Sequence, residues 1–98
     1  RPWLQVDLGA PARIRYIELY TRAQIDHPAT RRNFEIRASN DPNFATYVVL
    51  AAQGGGTLPH EAVFEAEVTN TGTYRYIRAA KTADESFFVT ELRVLGQR

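Results

Sequence analysis

Between Thr21 and Arg32 the chain reads TRAQIDHPATRR, which gathers three arginines, an aspartate and a histidine into one loop. The guanidinium groups of Arg22 and Arg31 are planar forks of N–H donors, Asp26 is an acceptor, and the ring of His27 can serve as either. A sugar calls for such a set, because its adjacent hydroxyls both give and take hydrogen bonds. Its C–H face also needs a flat aromatic ring. Of the pair Phe87 and Phe88, one is expected to enter the core and the other to offer that ring; alternation selects Phe87, since Phe88 shares its phase with Leu92 and Val94. The loop residues also have plainer uses. Arg22 can pair with Asp26 and pin the loop, and Arg31 and Arg32 can form a solvated face.

Other chemistries find little in the sequence. There is no cysteine, hence no disulfide framework or thiol nucleophile, and the two histidines, His27 and His60, have no carboxylate cluster or regular spacing that would hold zinc. No G-x-S-x-G or H-E-x-x-H occurs, and the glycine run QGGGT lacks the lysine and the following helix of a phosphate-binding loop. Catalysis is therefore not expected. Twelve basic and eleven acidic side chains leave a net charge of +1, too small a field to indicate nucleic acid or an anionic membrane. The loops supply only isolated apolar residues, Ile25 and Leu58, to insert into lipid.

These loops must be carried by strands. Seven are expected: Trp3 to Leu8, Arg13 to Thr21, Arg32 to Ser39, Thr46 to Ala52, Glu61 to Val68, Thr73 to Ala80 and Phe87 to Leu95. Leu4, Val6 and Leu8 alternate with Gln5 and Asp7, and Phe34, Ile36 and Ala38 alternate with Glu35, Arg37 and Ser39, so each strand has one buried face. In RIRYIELY the apolar phase slips from Ile14 and Tyr16 to Ile17 and Leu19, which means a β-bulge or a strand covered on both sides. Turn signals separate the strands at GAP, NDPN, QGGGTLPH, TNTG and KTADES. The expected product is one all-β domain over residues 1–98, an antiparallel sandwich or barrel. The start RPWLQVDLG has neither an initiating Met nor a signal-peptide core, as in a domain cut from a longer chain.

PWLQVDLGAPARIRYIEL, RNFEIRASNDPNF, YRYIRA and TELRVLG, in that order over residues 2–96, resemble the discoidin or coagulation factor 5/8 type C family. The resemblance implies a galactose-binding-like jelly-roll β-sandwich and, as in bacterial members, a non-catalytic carbohydrate-binding module that takes a galactose-like or fucose-like terminal sugar through loops at one end. It places Arg22 where sugar-binding relatives have a gripping arginine and pairs it with Arg31; His27, able to accept from a hydroxyl, and Phe87, selected by alternation, complete the candidate carbohydrate-binding residues. It makes Trp3 a packing residue and Glu91 a candidate ligand of a structural calcium ion, although the N-terminal loop that supplies the other ligands in relatives has no counterpart ahead of Trp3. An extracellular or cell-surface location is implied too. The alternative function is a structural or adhesion domain that docks against neighbouring domains or proteins.

Overall fold

Alternation of apolar and polar residues becomes antiparallel pairing throughout the computed structural model, which describes residues 1–21 and 28–97. The strands are β1 (Trp3–Thr21), β2 (Phe34–Ser39), β3 (Val48–Gln53), β4 (Phe64–Glu67), β5 (Thr73–Lys81) and β6 (Val89–Gln97), with a 3-10 turn at Pro28–Arg31. One layer runs β3-β2-β5 and ends on the first half of β1; the second half of β1 lies between β4 and β6 in the other. No helix among the described residues is long and apolar enough to cross a membrane.

The strands expected at Trp3 to Leu8 and Arg13 to Thr21 are two halves of one. Gly9, Ala10 and Pro11 do not end the ladder; pairing with β5 slips between Asp7 and Ala12, and Gly9 takes φ 85°, which a residue without a Cβ adopts at no steric cost. Asp7 Oδ1 accepts the Gly9 N–H at 2.8 Å and fixes the corner. The strand thereby passes from one layer into the other. The phase slip further along has its own cause: Ile14 pairs with Gly96 and Tyr16 with Leu95, so Arg15 is an extra residue, a bulge that turns Ile14, Ile17 and Leu19 to the same buried face. The freed Arg15 carbonyl accepts the N–H of Val68 at 3.0 Å. Gly96 must be glycine, since a Cβ there would lie 2.5 Å from the Arg13 carbonyl oxygen.

Between the layers, Phe34, Ile36, Ala38, Ile77 and Ala79 face Ile14, Ile17, Leu19, Phe64 and Val68. Phe34 and Phe64 meet edge to face, ring centres 5.0 Å apart, so β2 and β4 touch across the core and not along a ladder. This is an antiparallel jelly-roll β-sandwich. Because Trp3 pairs with Ala80, Phe34 with Lys81 and Leu19 with Phe64, both termini of β1 point to one end of it.

Candidate functional site

At that end the loops are tied together by backbone. Asn33 N–H donates to Gly54 O at 2.9 Å, Leu58 N–H to Arg31 O at 2.9 Å, Thr82 N–H to Asn33 O at 2.8 Å, and Phe88 N–H to Thr30 Oγ1 at 2.7 Å. Residues 28–33, 54–61 and 82–88 thus form one surface, joined to the end of β1 at Thr21.

A buried cation holds this surface. Lys81 is 1% exposed, and its Nζ donates to the carbonyls of Ala29 at 2.5 Å and Arg32 at 2.7 Å. Burial pushes the ammonium below the usual lysine range, while Glu85, 3.9 Å away, opposes that push. Above it, Glu85 accepts from Asn33 Nδ2 at 2.7 Å and from Arg32 Nε at 2.9 Å, with a second contact to Arg32 Nη2 at 2.8 Å. The bonds from Asn33 and Arg32 hold its carboxyl below the ordinary glutamate range. Asn33 has φ 51°, a left-handed backbone that Asn tolerates and that aims its amide at the carboxylate. Asn33, Arg32 and Glu85 therefore make a preset array of donors and acceptors.

The residues singled out in the sequence fall into three groups. Arg22 and His27 lie outside the described residues. Arg31 and Phe87 are at this end, but both are engaged with the protein. Arg31 is 5% exposed, not a solvated face; its Nε donates to Leu58 O at 2.8 Å, and its Nη1 is 3.4 Å from His60 Nδ1. Phe87 stacks on Phe34 with ring centres 5.6 Å apart and packs against the core, which reverses the expectation that Phe88 takes that role. Alternation failed because β6 begins only at Val89, so the strand phase does not reach either phenylalanine.

Glu91 and Trp3 lie elsewhere. The exposed Glu91 carboxylate is 3.9 Å from Arg93 Nε, and no cluster of three or more acidic, histidine or cysteine side chains exists among the described residues, so these side chains do not compose a calcium cage. Trp3 is 54% exposed on the outer face of β1, with the guanidinium of Arg78 3.9 Å from its ring centre, and does not pack in the core. Sequence reading missed Lys81 and Glu85, which it placed in a turn. The signal was present: Lys81 continues the inward phase of Ile77 and Ala79.

Residues 1–90 match the model of the F5/8 type C domain. The chain belongs to that family. Curated protein sequences offer no significant match to this F5/8 type C domain. Among solved structures it is similar to CBM62 from Clostridium thermocellum Xyl5A, with a TM-score of 0.82 and 20% identity over 96% of this chain and 67% of that one. It is also similar to the CBM32-6 protein CpGH89CBM32-6 of Clostridium perfringens, with a TM-score of 0.73 and 13% identity over 97% of this chain and 68% of that one. These likenesses support the galactose-binding-like sandwich. The chain is a non-catalytic domain of its family.

Proposed function

We propose that this F5/8 type C domain is a glycan-binding module that takes a galactose-like or fucose-like terminal sugar at the loop end of the sandwich. The observation that carries this reading is the fixed fork of Arg32, Asn33 and Glu85 on the surface shared by three loops. Such a fork can exchange hydrogen bonds with vicinal hydroxyls without reorganising first. Arg22 and His27, in the same loop by sequence, supply the grip. Arg31 braces that loop from below against Leu58, and Phe87 forms the apolar wall behind the fork. The two structural neighbours are carbohydrate-binding modules by name, which agrees with this reading, and the proposal carries with it a location outside the cell or on its surface.

A glycan array with the wild-type domain and the Arg22→Ala variant tests it. Binding in the millimolar to micromolar range is expected for one sugar class, at least about tenfold weaker in the variant. Chelation of calcium should leave the signal in place, because the neighbour of Glu91 is a guanidinium. A blank array from folded protein defeats the proposal. It would favour a second reading, docking against a neighbouring domain. A slot of about 310 Å³ among Leu8, Ala12, Ile14, Val94 and Leu95 has Leu95 exposed at its rim and the buried Nε–H of Arg13 without an acceptor.

A further inference from the structure

We propose a second saccharide-binding subsite, at the opposite end of the sandwich, in the pocket that the connection between β2 and β3 forms with Tyr74. It does not depend on the loop-end site. The pocket measures about 360 Å³ and is bounded by Ser39, Asn40, Asp41, Thr46, Tyr47 and Tyr74. Small-molecule sites begin at roughly this size.

The polar groups of this pocket are held from behind, with capacity left in front. Asp41 Oδ1 accepts the N–H of Asn43 at 2.9 Å and Oδ2 that of Ala45 at 3.0 Å. Each carboxylate oxygen keeps a further lone pair, and the two backbone bonds hold the carboxyl below the ordinary aspartate range, so it is an acceptor at neutral pH. Asn40 replaces a peptide group between strands: its Nδ2 donates to Thr73 O at 2.9 Å and its Oδ1 accepts Arg75 N–H at 3.0 Å. Ser39 Oγ donates to Thr46 O at 2.7 Å and accepts Asp41 N–H at 2.9 Å. The Tyr74 hydroxyl donates to Asn70 Oδ1 at 3.1 Å. None of these groups has to be ordered when a ligand arrives.

The flat ring that the loop end keeps for its core is exposed here. Tyr47 is 44% exposed, and the guanidinium of Arg37, itself fixed by Glu35 at 2.7 Å, stands 4.7 Å from the ring centre on one face. The Phe44 ring flanks it at 6.3 Å, tilted by 41°, and the exposed part of the Tyr47 ring is what the C–H side of a pyranose would meet, with Asp41 in the same pocket lining to take its hydroxyls. A carboxylate in the lining disfavours anionic ligands, and hydroxyl, amide and carboxylate groups set beside apolar surface suit a ligand that has both polar and C–H faces. A neutral saccharide meets both conditions.

The test is an amide NMR titration of the ¹⁵N-labelled domain with methyl β-galactoside, methyl β-glucoside and methyl β-xyloside, each to about 20 mM, a range that reveals millimolar binding. Saturable shifts are expected at residues 40–48 and Tyr74 with at least one glycoside. Tyr47→Ala should weaken them about tenfold or more while the rest of the spectrum stays put, and Tyr47→Phe should retain them. Amides of residues 28–33 and 82–88 report the loop-end site separately, so shifts confined to those residues would support that site and overturn this one. No response at residues 40–48 to any of the three glycosides, or a response unchanged in Tyr47→Ala, also overturns it.

Discussion

At the loop end, Lys81, Glu85, Arg32 and Asn33 hold one another in place, and the ring of Phe87 is stacked on the core residue Phe34. At the far end, Asp41, Asn40 and Ser39 are anchored by backbone groups, and Tyr47 turns a ring face outward. The difference follows from what each end must close. Loops of six or more residues surround the first end, and a buried ammonium that binds two of their carbonyls gathers them. The far end is closed by the connection between β2 and β3, residues 40–47, which folds back over the sheet, where Gln5 and Arg78 each reach Pro42 O at 3.3 Å and Phe44 lies under Arg78 at 4.2 Å. Internal ion pairing makes one surface a rigid, preset fork. Backbone anchoring leaves the other with lone pairs and a ring to spend on a ligand.

If this comparison holds, the largest effect comes from removing the cation at the loop end. Lys81→Met strips the carbonyls of Ala29 and Arg32 of their donor and leaves Glu85 without its inner countercharge. A loss of about 3 kcal/mol is expected, measured by chemical denaturation. A loss below about 1 kcal/mol would mean that packing, and not the buried ammonium, gathers these loops.

The connection that folds back from the far end should respond more weakly, through the aromatic contacts it makes on the outer face of the sheet. Arg78 lies between Trp3 at 3.9 Å and Phe44 at 4.2 Å, and its Nε donates to Gln5 Oε1 at 2.6 Å. Arg78→Ala is expected to cost about 1.5 kcal/mol, from two cation–π contacts and a partly exposed hydrogen bond. Trp3 is the chain's single tryptophan, so its fluorescence reports the change directly. Arg78→Lys should recover less than half, because an ammonium cannot cover two rings as a plane does. Full recovery would show that charge alone held the stack.

The strands were legible because their period-2 patterns survive in the fold, and NDPN is the connection between β2 and β3 that its residue types announce. GAP misled, since glycine and proline mark a corner within one strand as readily as a turn between two. The slip in RIRYIELY was visible, but only the partner strand shows that Arg15 is the bulged residue. Neither end's polar constellation was readable. Arg32 meets Glu85 and Tyr47 shares a pocket with Tyr74 only through the register of β2 on β5. Trp3 was assigned to packing by resemblance, yet alternation with Leu4 and Val6 already turned it outward.

The smallest effect separates the two ends by acid and salt. Glu85 is held below its ordinary value of 4.5 by Asn33 and Arg32, and Asp41 below 3.8 by the amides of Asn43 and Ala45, with a lesser pull from Arg78. A folded value below the unfolded one contributes stability that is fully present above the unfolded value and is lost as pH falls through the folded one. The loop end should therefore begin to weaken below about pH 4.5 and the far end below about pH 3.8. Glu85→Gln flattens the first part of the acid limb, and Asp41→Asn only the later part. Raising salt to about 0.5 M should lift the Glu85 titration toward its ordinary value, since Arg32 is partly exposed and screened, and should barely move Asp41, whose main partners are neutral amides. Carboxyl ¹³C shifts followed against pH at two salt concentrations read both groups. Equal salt sensitivity would erase the distinction between an end held by ion pairs and an end held by backbone, and with it the reason for the far pocket's spare acceptors.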